Sequence, residues 1–410
     1  MAFEISQISD ELRGRLKHKG MHEDRLNAME KFFELPNANE KLGLNVKTDM
    51  EFIDYDGALN EGKTSIETKD GIGNEIKIHS WNEFMHDGSI DDAYKKTIEK
   101  YMMQKYISTK DNGHQHFAKM QSLHLALSNV KILVIEDEKK MRINMQRIIE
   151  GNSYNHIIIV TGDGCDVNIY MKTSHPKAAD DSHRNNTGHG IITDCVDLIA
   201  GKNCSIEFVE HRDLSSKDVI FAQKQAMLED SSTLKWINID KDSRLSIISQ
   251  HAMMNGEESR CSMNNIICGK DSQYYIYNIS DHHGKSTSSL MQNSSVLENS
   301  RAIIKGLVKI NKDASSSNGY QKSDMLMLDE SSRGISIPDL EIHNHDVKCT
   351  HGSTITRLDK EKIFYLQARG LEKEDAQILL IEGFYSKALE NISDQDLRDS
   401  IKQSILERSA

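Results

Sequence analysis

Four side chains able to hold a soft metal or to do sulfur chemistry crowd one short stretch, HNHDVKCTH, as His343, His345, Cys349 and His351. On one unbroken strand all four would share a face, because side chains alternate with period two. Cys349 and His351 would then be neighbours, a thiolate beside an imidazole, suited to a metal or to a stabilised thiolate. The plainer expectation is a polar turn at Asn344–Asp346 that leaves the histidines in water. Further along, Glu372, Glu374 and Asp375 place acid at a helix start, where the helix dipole favours it. Glu374 or Glu372 could also offer a metal an oxygen.

Elsewhere the candidates are thinner. His114 and His116 could be a ligand pair on a strand, although Lys-Asp-Asn-Gly before them favours a solvated loop. His175, His183 and His189 fall in TSHPKAADDSHRNNTGHG, a Ser/Asn/Asp/Gly-rich stretch expected to be exposed, as is KDASSSNG at 312–319. His282-His283-Gly284 suggests a tight turn. Six dispersed cysteines (165, 195, 204, 261, 268 and 349) show neither a CxxC pair nor zinc-finger spacing, and most are expected to be small buried hydrophobes.

The chain of 410 residues carries a net charge of −12, which argues against a nucleic-acid partner. No apolar run approaches the ~20 residues that cross a bilayer, and Met-Ala-Phe-Glu-Ile lacks the features of a signal peptide, so a cytoplasmic protein without a membrane partner is expected. Neither GxxxxGK[ST] nor GxGxxG lies at a strand–helix junction, and GxSxG and HExxH are absent. No nucleotide site of its own and no conventional catalytic constellation follow. That favours a non-catalytic scaffold over an enzyme.

Positioning falls to three regions: a mixed, helix-rich part over 1–125, a β-rich core over 126–358 and a helical part over 359–410. Residues 1 to about 45 have a helical apolar pattern broken at Gly20 and ended by Pro36. Ile66–Ile78 suggests a hairpin turning at GIGN, and Asp91–Lys105 a helix. From Val130 short runs such as KILVIED, HIIIVTG, SIEFVEH and LKWINID alternate with polar turns. Such repetition suggests a solenoid or a sandwich rather than βαβ units. Ile310, Leu328, Ile342 and Leu358 recur 14–18 residues apart, a spacing that could stack as rungs. After N-cap Asp359, Ile363 and Phe364 are expected to pack inward and Gly370 to end the helix. Leu379, Leu380 and Phe384 would line a second helix, and Ser393-Asp-Gln-Asp396 would cap a third.

The stretch DVKCTHGSTITRLDKEKIFYLQARGLEKEDAQ, followed by GFY, resembles the C-terminal signature of the SufB/SufD family, scaffold proteins of Suf iron–sulfur cluster assembly. RAIIKGLVKI, YQKSDMLMLDESSR and SIPDLEI are similar to the family's core in the same order, so the resemblance covers roughly 282–385 and is faint before that. His351-Gly352 is similar to SufD-like members. The resemblance implies a mainly β fold: a right-handed parallel β-helix core between a helical N-terminal region and a helical C-terminal domain. It implies pairing through the β-helix with a SufB-like or identical subunit, and a SufC-type ABC ATPase on the C-terminal helices. Cys349 and His351 match the residues that the family places at the scaffold interface as ligands of a transient iron–sulfur cluster. The sequence leaves open which cysteine accepts sulfur and whether a flavin takes part. The alternatives are a β-helical enzyme acting on carbohydrate or acyl groups, and a mononuclear metal protein using His343, His345 and His351.

Overall fold

Two stacked parallel sheets wind around each other as a β-solenoid of eight coils. The computed structural model describes residues 10–35 except 20, the pairs 41–42, 46–47 and 53–54, and 57–406 except 72, 109–114, 177–189 and 242. One sheet stacks Lys140–Glu150, Asp166–Ser174, Ser205–Asp213, Thr233–Lys241, Arg260–Lys270, Ser288–Glu298, Ser317–Met327 and Val347–Arg357. The other stacks Asn129–Ile135, Ser153–Thr161, Ile191–Ala200, Val219–Leu228, Leu245–Met254, Gln273–His282, Arg301–Ile310 and Arg333–Ile342. Consecutive strands alternate between the sheets. The solenoid therefore prevails over the sandwich, and the 14–18-residue phase is half a coil. A full coil spans about 28 residues early, as from Arg212 to Asp240, and about 30 later, as from Ser316 to Asp346.

The corners explain how so regular a stack arises without repeated glycine. Glu138, Gly164, Asn203, Ser231, Glu258, Ser286 and Ser316 occupy the same bend in successive coils, each with φ between 56° and 69°. A side chain in that left-handed conformation costs about 1–2 kcal/mol. The backbone offsets it with a ladder: each of these N–H groups donates to a carbonyl of the next coil, from Asp163 to Lys202, Asp230, Glu257, Lys285, Ser315 and Asp346.

Inside the coil, residues stand in columns. Ile169, Phe208, Trp236, Met263 and Met291 lie above one another, continuing into Gln321 and His351. Ile206, Leu234, Cys261, Ser289, Gly319 and Cys349 form the column beside it. The interior thus begins aliphatic and aromatic and becomes polar towards the last coils. Six charges are also sealed within it. Arg147 grips Asp194 through both carboxylate oxygens at 2.8 and 2.6 Å, Arg212 grips Asp240 at 2.9 and 3.2 Å, and Arg212 and Lys224 both meet Glu210. Three cations face three carboxylates, so the network is neutral. Burial alone would raise the Asp194 carboxyl, but Arg147 holds it down; burial pushes the Lys224 ammonium down to about 8, against the pull of Glu210.

The beginning of the stack is capped. Lys63–Asp70 adds an antiparallel strand to Lys140–Glu150, and His79–Ser80 adds one to Asn129–Ile135. The helices Asp10–His18 and His22–Glu34 form the expected broken amphipathic pair, and Lys41–Leu42 and Val46–Lys47, beyond Pro36, pair as short antiparallel strands. The GIGN turn is present as a short pairing of Lys69 with Glu75, with Gly73 at φ 94°, while Ile72 lies outside the described residues. The helix expected at Asp91–Lys105 spans Asp92–Ser108. His114 lies outside the described residues, and His116 falls in the helix Gln115–Leu127 rather than in a loop. The loop expected at 312–319 ends at Ser316, since Ser317 opens a strand and its hydroxyl bonds Thr287 in the coil below at 2.7 Å.

Three helices follow the last coil. Asp359 caps Lys360–Ala368 by accepting from the amides of Glu361 and Lys362, and Gly370 at φ 96° ends it. Phe364 does not pack inward: it is 73% exposed, beside Tyr365 at 57%. In Lys373–Leu389 the buried stripe is Ala376, Ile381, Tyr385, Ala388 and Leu389. Of the stripe expected from Leu379, Leu380 and Phe384, Phe384 packs partly buried against this cluster, Leu380 is half-buried, and Leu379 turns outward at 47% exposed. The phase is set by Tyr385, whose hydroxyl donates to the Ile267 carbonyl at 2.5 Å and accepts from the Val296 amide at 3.1 Å on the sheet's outer face. The third helix, Gln395–Leu406, is capped by Asp394, which accepts from the Leu397 amide at 3.1 Å; Ser393 is drawn away to Glu207 instead.

Candidate functional site

Cys349 and His351 lie on Val347–Arg357, the last strand of its sheet, with one neighbour, Ser317–Met327, and no strand beyond among the described residues. Val347 and Cys349 pack against the interior cluster, so alternation puts His351, Ser353 and Ile355 on that inward side too. With no ninth coil above them, groups that elsewhere would be core are open. Cys349 is half-buried, His351 exposed and Ile355 44% exposed. Leu340 and Ile342, 37% and 43% exposed, lie on the other uncovered edge strand. Burial pushes the Cys349 thiol up, offset in part by a backbone hydrogen bond with Gly319 of the preceding coil. Thiol and imidazole two residues apart on an open edge can offer a soft and a borderline donor to an incoming group.

The four-residue strand face does not form. The strand Arg333–Ile342 ends before His343, and the chain turns through 343–346 before Val347. Asp346 donates its amide to Asn344 at 2.8 Å, and Asn344 reaches the Lys312 carbonyl at 2.7 Å, so the polar turn holds. His343 bonds Glu341 at 2.9 Å and His345 is exposed. Among the described residues, His343, His345 and His351 do not gather as three donors, which removes the geometry that a mononuclear site would need. Glu372 and Glu374 are exposed at the start of Lys373–Leu389, and Glu374 does not join Cys349 and His351 in a three-donor group among the described residues.

Cys165, Cys195, Cys204 and Cys261 are buried, and burial pushes the thiols of Cys261 and Cys268 up to about 12. His282 is buried, bonded to Thr287 at 2.7 Å and Ser289 at 2.8 Å, and burial lowers it to about 4. His175 bonds Asp218 at 2.6 Å, and this bond raises it; His183 and His189 lie outside the described residues.

One donor cluster escaped the sequence reading. His124, His156 and Cys195 are buried and bring one ligand atom each to within 4.8 Å of the others. They come from a helix and two strands spread over some 70 residues, so spacing gave no signal. Strand register would have linked two of them, since His156 pairs directly with Cys195.

Comparison with known proteins agrees with this architecture. The family described as SUF system FeS cluster assembly, SufBD core domain, matches residues 141–384, which extends the likeness far upstream of residue 282. The chain is similar to the iron–sulfur cluster assembly protein SufD of Bacillus subtilis, 25% identical over 323 residues, 76% of this chain and 70% of that protein. It is similar to SufD of Escherichia coli, 29% identical over 157 residues, 38% of this chain and 37% of that protein. It is also similar to a SufBD family iron–sulfur cluster assembly protein of Mycobacterium leprae, 23% identical over 239 residues, 58% of this chain and 25% of that protein. With the core domain matched over more than half its length and the eight-coil solenoid in place, this chain belongs to the SufB/SufD family of the SUF iron–sulfur cluster assembly system, with SufD-like relatives.

Proposed function

We propose that the chain is a non-catalytic scaffold subunit that meets a SufB-like or identical subunit through its last coil and holds a transient iron–sulfur cluster there, with Cys349 and His351 as its share of the ligands. The observation that carries this reading is the open eighth coil, which leaves a thiol and an imidazole on an inward-facing edge. Two donors fall short of the four ligands an iron–sulfur cluster requires, so the cluster needs a second chain. The cluster is cargo. ATP hydrolysis then belongs to a SufC-type ATPase docked on the helices after Asp359, a role supported by the exposed Phe364, Tyr365, Leu371 and Leu379. Large exposed apolar side chains grouped on a helical surface mark interaction sites.

Co-expression with a SufC-type ATPase and a SufB-like subunit tests both halves. Deleting residues after 359 is expected to abolish co-purification of the ATPase. Cys349→Ser is expected to leave the complex intact and cut cluster delivery to an apo-acceptor at least tenfold. An ATPase retained by the truncated chain sinks the docking assignment. Undiminished delivery by Cys349→Ser reduces that thiol to packing.

A further inference from the structure

We propose that His124, His156 and Cys195 bind a divalent transition-metal ion of borderline softness, zinc or ferrous iron, beneath the helix Gln115–Leu127. His156 in the second coil and Cys195 in the third are direct partners in register. Their neighbours Ile157, Ile159, Val196 and Leu198 belong to the interior cluster, so alternation turns His156 and Cys195 to the outer face of the sheet. The helix lies across that face and brings His124 down, its ring 5.3 Å from that of His156 and tilted by 49°. All three side chains are buried.

The surroundings are those that hold a metal-binding imidazole. Nε2 of His156 bonds Asp197 at 2.7 Å, and Nδ1 of His124 bonds Thr193 at 2.9 Å. A ligating histidine regularly uses its other nitrogen on a carboxylate or a neutral acceptor, which fixes ring and tautomer. Donor atoms around a tetrahedral zinc ion stand about 3.4–3.6 Å apart, given metal–nitrogen and metal–sulfur distances of about 2.0–2.3 Å. One ligand atom from each of the three residues lies within 4.8 Å of the others, so small side-chain shifts, on the order of 1 Å, bring them to that spacing. Two imidazoles and one sulfur select zinc, ferrous iron or a similar ion over magnesium and calcium, which take oxygen.

Three protein ligands leave a fourth position. A cavity of about 250 Å³ is lined by His124 and Cys195 together with Gln121, Gln223, Gln225 and His251. The cavity is also lined by Phe221, Tyr277 and Ile279, and a site with three protein ligands beside such an open space keeps a position for water or an exchanging ligand, unlike a closed structural zinc site. The ion is therefore expected to exchange. Binding replaces the S–H bond of Cys195 by a metal–sulfur bond and releases the proton to solvent, so affinity rises with pH.

The test uses the full chain carrying Cys349→Ser, so that the only thiol on the last strand cannot contribute and the outcome does not depend on the cluster assignment there. Anaerobic titration of metal-free protein with cobalt(II) is expected to give one equivalent with a sulfur-to-cobalt charge-transfer band and tetrahedral ligand-field bands, both displaced by zinc. Adding Cys195→Ser should abolish the charge-transfer band, and Asp197→Asn should keep it while weakening affinity ten- to hundredfold. Tm should rise with zinc and ferrous iron but not with magnesium. Absence of a thiolate band from the Cys349→Ser chain overturns the proposal without further variants. A band that survives Cys195→Ser overturns it as well, and the cluster is then a hydrogen-bonded packing unit.

Discussion

The two ends of the solenoid are built from the same strand pattern and finished in opposite ways. Where the coil begins, Lys63–Asp70 and His79–Ser80 pair antiparallel with the first strands, and helices cover the sheet that follows. Where it ends, Arg333–Ile342 and Val347–Arg357 each keep one edge without a strand among the described residues. Unpaired strand edges invite association, and proteins usually blunt them. Here one end is blunted and the other retains Leu340, Ile342 and Ile355 at the surface. A single column makes the contrast direct. Arg147, Thr173, Arg212, Asp240, Ile267, Ser295, Met325 and Ile355 stand in register from the first coil to the last. Its first member is fully buried and its last is 44% exposed.

The largest effect expected from this contrast is at the capped end. Arg147→Ala leaves Asp194 buried without its cation and should cost about 3–5 kcal/mol in urea unfolding. Arg147→Met combined with Asp194→Leu should recover most of that loss. A single variant costing less than about 1 kcal/mol would break the claim that the first coils are locked by charge.

The second expectation concerns acid. His282, close to the open end, titrates at about 4 in the folded chain against about 6.5 unfolded. The unfolded chain therefore takes up the proton first, and the stability His282 contributes is complete above pH 6.5 and lost as pH falls towards 4, about 3 kcal/mol in all. His175, in the capped half, is shifted upward by Asp218, so its contribution has the opposite sign, complete below its unfolded pKa and lost as pH rises through the folded one. His282→Gln should flatten the stability profile between pH 6.5 and 4. An unchanged slope would remove His282 from the account.

The smallest effect on stability is expected at the open end itself. Ile355→Ala should shift unfolding by no more than about 0.5 kcal/mol. If that edge is an interface, the same change should weaken association with a scaffold partner by about 1 kcal/mol or more, roughly fivefold, in sedimentation or co-purification. Equal, negligible effects on both would make the edge a bare surface.

Much of this was legible in the chain. Short β-rich runs such as HIIIVTG and SIEFVEH between polar turns marked the strands, Asp359 and Gly370 marked helix ends, and the polar turn at Asn344–Asp346 was expected. The solenoid was not separable from a sandwich by pattern alone, because pairing across 28–30 residues leaves no mark in a local window. The interior charges were not legible, since Arg147, Arg212 and Lys224 find carboxylates in other coils, Asp194, Asp240 and Glu210, far away in sequence. Helix phase misled: Phe364 is a natural core residue yet is exposed, and on the next helix Tyr385 sets which side meets the sheet. Of the candidate site, Cys349 and His351 share a face as period two requires, while His343 and His345 are removed by the turn.

The ladder of left-handed corners has a consequence for how the chain tolerates change. Each storey is held by its neighbours above and below, so added residues are cheapest at a bend, where they loop out without shifting any column. Asp166–Ser174 and Ile191–Ala200 keep full register with their neighbours although the polar segment that separates them in sequence, on the side opposite the ladder, is longer than the other connections there. An insertion of one residue within a strand would instead flip every side chain beyond it to the other face of its sheet. Length is therefore free at the corners and fixed along the walls.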